Sequence, residues 1–174
     1  LYGKKASLKE KLRFLIGFVP IMRDFFYVEG VSERVVEDPY VIGEVTKLKK
    51  GSNLLDFGCF SSQLPFQFAS LGYKVFAVDY NNYGLTHPNL SFFKMNFLDN
   101  KFKSNFFDCI YAVSSLEHVG VGWYAQEKKG ITDFKVVNEF KRVLKPGGKL
   151  IVTVPFGKYK VKKDEKTYDK IHLD

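Results

Sequence analysis

From residue 53 onward the chain alternates between two apolar patterns. Short, nearly unbroken apolar runs occupy 53–57, 74–78, 91–94, 107–113 and 149–154. Runs of that length without polar alternation suit strands covered on both faces. Between them, 62–71 and 132–144 carry apolar residues at helical spacing. In the second stretch Phe134, Val137, Phe140 and Leu144 form one stripe, and Lys145, Pro146, Gly147 and Gly148 stop it. Alternating strands and helices predict the α/β class, with a doubly wound, mainly parallel sheet flanked by helices. Its ligand is expected beyond the carboxyl ends of the strands, near the switch point.

Two helices are predicted upstream. The first, 7–19, has Leu8, Leu12, Leu15, Ile16 and Val19 on one face, a Ser7/Glu10 capping box and Pro20 as its stop. The second has Asp38 as N-cap, Pro39 at the first helical position, apolar Val41, Val45 and Leu48, and a stop at Lys49, Lys50 and Gly51. The chain therefore divides into a helical preface and lid (1–50), a core (51–157) and a lysine-rich C-terminal segment (158–174) expected to be largely solvated.

Length and composition narrow the class without naming a function. With 174 residues, 45% hydrophobic and 26% charged, the chain fits one ordinary globular core and excludes extended disorder. The longest N-terminal apolar run, 14–22, is bounded by Arg13 and Arg23 and broken by Pro20, so no transmembrane helix is predicted. Cys59 and Cys109 are too few for a disulfide framework, which points to a reducing, cytoplasmic setting. His87 and His172 lack a second ligand at metal spacing, so no metal is expected. The chain opens on Leu1 rather than methionine, so residues are expected to be missing there. The net charge of +8 is carried by 23 lysines and only four arginines, which reads as solubility more than as a phosphate- or guanine-reading surface.

The chemistry concentrates after the first strand. Gly58, just past the run ending at Phe57, lets backbone N–H groups approach a ligand ahead of a helix N-terminus. Asp79 follows Asp56 by 23 residues and ends the second strand, where a carboxylate can accept both hydroxyls of a ribose. Glycines are lacking at Phe60 and Gln63, which argues against a nicotinamide dehydrogenase.

Five landmarks in order then carry a resemblance: LLDFGC (54–59), Asp79, SFFKMNFLD (91–99), FFDCIYAVSSLEHV (106–119) and RVLKPGGKLIVTVP (142–155). Over roughly 50–157 the chain resembles the class I S-adenosylmethionine-dependent methyltransferases, in a little-characterised branch of the type 11 kind. The resemblance implies S-adenosylmethionine as cofactor, held by Asp56, Gly58, Cys59, Asp79, Tyr80, Asn96, Phe97 and Ser114. Asp56 would orient the methionine ammonium or hold the tight turn, Tyr80 would stack beside the adenine or cover the sheet edge, and Arg34 reads first as an exposed helix arginine, with the methionine carboxylate as its alternative partner. Glu117 and His118 would stand over the methyl-transfer site, His118 as a candidate base. Trp123 and Tyr124, beside Gly120 and Gly122, would contact the acceptor.

The sequence also departs from that family. Of three alternating glycines in the first motif only Gly58 remains, so the loop carries Phe60 and Ser62. At the adenine position Asn96 stands where many members have aspartate. A helix and two-strand hairpin that the family adds after strand five do not fit in the 17 residues beyond Gly157, so strand five is expected at a sheet edge, bare or covered by a partner such as a second copy. A small-molecule or sugar-containing acceptor is the first reading. A nucleic-acid methyltransferase and a fold that binds without catalysing are its rivals.

Overall fold

The computed structural model describes residues 33–122 and 132–173. The apolar runs become β1 (Asn53–Phe57), β2 (Lys74–Asp79), β3 (Leu90–Lys94), β4 (Phe107–Val113) and β5 (Leu144–Thr153). They pair in the order β3-β2-β1-β4-β5, each pairing parallel. The order reverses between β1 and β4, which opens a crevice at their carboxyl ends. Among the described residues β5 has β4 as its one neighbour, so the sheet ends there as the sequence suggests.

Successive residues of a strand face opposite sides, and both sides are apolar here. Leu54, Cys109, Tyr111 and Val113 turn to one face, with Val41 and Val45 of helix α1 (Arg34–Val45) and Leu64 and Phe68 of α2 (Leu64–Ser70). Leu55, Ile110 and Ala112 turn to the other, with Val136, Phe140 and Val143 of α3 (Asp133–Val143). Helices on both faces make the sheet doubly wound.

Three details differ from the sequence pattern. Helix α1 begins at Arg34, ahead of the expected Asp38 cap, and carries Pro39 inside it. Proline there removes one helical hydrogen bond, but Pro39 is exposed, where water can hydrate the freed carbonyl. The buried stripe of α3 is Val136, Phe140 and Val143; Phe134 is 73% exposed. It lies two residues from Val136, about 200° round the helix, and so on the opposite side. Finally, β5 starts at Leu144, directly after α3. The expected Lys145 to Gly148 turn survives as an irregularity, with Phe107 opposite Leu144 but Cys109 opposite Lys149. The expected helix at 7–19 lies outside the described residues.

Contacts divide the chain into Leu1–Val36 and Glu37–Asp174. Within the second unit, two ties fix α1. The Tyr73 hydroxyl donates to the carbonyls of Val45 and Leu48 at 3.2 Å, satisfying acceptors left open at the helix end. Lys149 of β5 meets the Glu44 carboxylate at 2.5 Å. Lys149 and Lys47 together hold the Glu44 carboxyl down at about 2. No helix among the described residues is long and apolar enough to cross a membrane.

Candidate functional site

The crevice is built on the loop after β1. Gly58 has φ +82°, and its N–H donates to the Val78 carbonyl at 2.9 Å. A Cβ on Gly58 would stand 2.4 Å from Ser115 Oγ and 2.6 Å from Ser115 Cβ, so the loop and the β4 end fit together only without a side chain there. Asp79, 5% exposed, ends β2 beside this loop. Its Oδ2 accepts from the Phe60 N–H at 3.0 Å and its Oδ1 from the Asn81 N–H at 2.7 Å. A carboxylate has about four acceptor positions, so two such bonds orient the group without exhausting it.

Beyond β3, Asn96 Oδ1 accepts from the Leu98 N–H at 3.1 Å and caps the short turn Phe97–Asp99. That cap spends part of the carboxamide oxygen and leaves its NH2 outside the bond. A cavity opens between these parts. Gly58, Asp79, Tyr80, Asn96 and Phe97 line it, with Ser115, Val119 and Val136 supplying further wall.

Other sequence candidates fall elsewhere. Asp56 is 3% exposed and paired in register with Tyr111 of β4. Burial, then the Asp56 charge, pushes the Tyr111 hydroxyl well above the ordinary tyrosine range. The same two causes raise Tyr83 to about 12, and Tyr83 donates to the Ser62 carbonyl at 2.8 Å. Cys59 is fully buried; burial, then Asp56 and Asp79, drives its thiol far up, so it supplies no thiolate. Neither Asp56 nor Cys59 lines the cavity.

The end of β4 forms a second grouping. Ser114 has φ +45°, an unusual value for a residue with a side chain. Its N–H meets both Thr153 O at 3.2 Å and Thr153 Oγ1 at 3.0 Å. Its hydroxyl donates to Glu37 of α1, 2.8 Å from Oε1 and 3.0 Å from Oε2. Glu117 is buried, and His118 meets the Asp164 carbonyl through Nδ1. Trp123 and Tyr124 lie outside the described residues.

The C-terminal segment departs from a wholly solvated tail. Lys158, Lys160, Lys162, Lys163 and Lys170 are exposed, but Lys166 is buried against Asp133 at 2.9 Å. Tyr168 donates to the same carboxylate at 2.7 Å, and a small antiparallel pair, β6 (Lys160–Val161) with β7 (Lys166–Thr167), brings the segment over Glu117 and His118. Burial works against the Asp133 charge, yet Lys166 and Tyr168 hold its carboxyl below the usual range. A buried ion pair supplies the physical reason that Lys166 leaves solvent.

Two residues of this site carried no assignment from the sequence. Ser115 sits inside SSLEHV and gave no signal beyond that match. Glu37 sits in SERVVEDPYV, and no spacing rule links it to Ser114, which lies 77 residues away.

The sequence profile of the family described as Methyltransferase domain matches residues 55–152. No curated protein sequence matches the chain significantly. Among solved structures, the Haemonchus contortus phosphoethanolamine N-methyltransferase 2 with S-adenosyl-L-methionine is 20% identical, with a TM-score of 0.56 over 88% of this chain and 35% of that one. The same enzyme with phosphomonomethylethanolamine and S-adenosylhomocysteine is 21% identical, with 0.57 over 73% and 30%. The cyclase SpnF is 21% identical, with 0.61 over 83% and 57%. The chain spans about half or less of the length of the first solved structures it matches.

Proposed function

The chain belongs to the Methyltransferase domain family, and from that premise we propose that it transfers a methyl group from S-adenosylmethionine to a small-molecule or sugar-containing acceptor. The observation that carries this reading is Asp79. Its carboxylate stands at the cavity, oriented by the Phe60 and Asn81 N–H groups, with acceptor capacity for two ribose hydroxyls. The glycine at 58 is the second sign of fit, since a side chain there would fill the space between the β1 loop and β4. The Haemonchus enzymes, solved with S-adenosyl-L-methionine and S-adenosylhomocysteine, support the same cofactor.

When bound, the cofactor supplies an activated methyl group on a sulfonium, already a good leaving group. The chain's own residues then bind, orient and exclude water. Asp79 takes the ribose hydroxyls, while Tyr80, Asn96 and Phe97 border the adenine. Glu117 and His118 stand at the end of β4, where His118 would accept a proton if the acceptor must lose one. Trp123 and Tyr124 would close the acceptor side.

The test is thermal unfolding with S-adenosylhomocysteine. At 100 times Kd, a ligand bound only by the native state contributes about 2.7 kcal/mol, or roughly 5–10 °C for a chain of this size. Asp79→Ala should lose most of that ligand-induced shift, each protein compared with its own ligand-free form. No shift in the wild type at millimolar ligand would sink the cofactor reading.

A further inference from the structure

Asn96 is the polar side chain that the cavity wall presents beyond β3. Of the other polar side chains in that wall, Asp79 and Tyr80 stand at the end of β2 and Ser115 follows β4. Much of the remaining wall is apolar: Met95, Phe97, Val119 and Val136 belong to the cluster on the α3 face of the sheet. Apolar walls take the faces of an aromatic ring, and a few placed polar groups then decide which edge of that ring is accepted.

The two ends of the Asn96 carboxamide are not equivalent. Oδ1 accepts from the Leu98 N–H at 3.1 Å, and because a backbone N–H only donates, that bond fixes which end is the oxygen. The NH2 has no hydrogen-bond partner among the described residues, and Asn96 is half-buried. With the oxygen turned back onto its own turn, the NH2 is the end left for a ligand. Asp79 is paired in register with Lys94, and Asn96 lies two residues further along the chain. On the cofactor reading above, with the ribose hydroxyls on Asp79, the base extends past the end of β3 and brings the edge remote from its sugar to Asn96. That edge of adenine carries N1, an acceptor, and the 6-amino group, a donor. We propose that Asn96 selects the base by donating its NH2 to adenine N1, rather than by accepting from the 6-amino group. An aspartate in the same place would do the reverse, since an ionised carboxylate only accepts. This role rests on the cofactor reading and names the atom of the base that the chain recognises.

Calorimetry tests it with S-adenosylhomocysteine, its 1-deaza analogue, where C–H replaces N1, and its 6-deamino analogue, where hydrogen replaces the amino group. The wild type should bind the 1-deaza analogue about 3- to 10-fold more weakly than S-adenosylhomocysteine and the 6-deamino analogue within about twofold of it. Asn96→Asp keeps a side chain able to accept from the Leu98 N–H, and it should invert the order, so that the 6-deamino analogue becomes the weakest of the three. A wild type that binds the 1-deaza analogue as tightly as the 6-deamino one, or more tightly, would overturn the proposal. So would an Asn96→Asp variant that keeps the wild-type order, because the base would then be read by a group other than this carboxamide. A wild type that binds none of the three ligands would overturn the cofactor reading itself, and this role with it.

Discussion

Replacing Gly58 by alanine probes the seam between the β1 loop and the β4 end. Two separable effects oppose the change. Gly58 has φ +82°, a left-handed conformation that costs an L-residue about 1–2 kcal/mol. The new Cβ would also fall 2.6 Å from Ser115 Cβ, which cannot rotate away because it is bonded directly to the backbone. Overpacking of that kind adds about 1–3 kcal/mol. The sum, about 2–5 kcal/mol, corresponds to a fall in Tm of around 10 °C for a chain of this size. Differential scanning calorimetry on four proteins would separate the parts: wild type, Gly58→Ala, Ser115→Gly and the double variant. In the Ser115→Gly background the clash is gone, so Gly58→Ala should cost only the backbone part, about 1–2 kcal/mol. An equal drop in both backgrounds would mean that Ser115 is not the neighbour that excludes a side chain. No drop in either would refute the strained conformation as well.

Two further outcomes follow from buried polar groups. Tyr111→Phe removes a buried hydroxyl that has no hydrogen-bond partner, so the stability measured by urea unfolding should stay level or rise; a loss of about 1 kcal/mol or more would mean that the hydroxyl is bonded to Asp56 after all. The Asp133 carboxyl has its folded pKa below the unfolded 3.8, so its contribution is complete above that value and fades as pH falls through the folded one. Asp133→Asn should therefore melt a few degrees below wild type at about pH 7, with the gap narrowing once the pH is taken well below 3.8. A gap that stays constant down to that pH would mean the charge contributes nothing.

The strands were legible because burial on both faces leaves unbroken apolar runs; the first four lie within one residue of their expected limits, while β5 begins five residues early at Leu144. Asp79 was legible for a related reason: an acid ending such a run stands out against it. Asp56 stood out equally, yet it is buried and does not line the cavity, a placement that linear spacing does not encode. The start of α1 was misread because Asp38-Pro39 is a strong local opening signal, whereas the helix is held by Val41, Val45, Tyr73 and Lys149, contacts made at long range. Lys166 looked like its lysine neighbours until tertiary structure brought Asp133 beside it. Glu37 is the extreme case, since the hydroxyl it accepts belongs to a strand end 77 residues distant.

The wiring of the C-terminal segment also sets an order of assembly. His118 meets a carbonyl 46 residues further along the chain, and Asp133 waits for a tyrosine 35 residues later. During synthesis the parallel pairing of β1, β2 and β3 can form long before either partner has left the ribosome. The β4 end, with Glu117 and His118, is therefore the last part of the described fold to be covered, and closing those loops is the late, entropically costly step. A nascent chain halted between α3 and β7 would hold the β1 loop and Asp79 in place while the end of β4 still stood open to water.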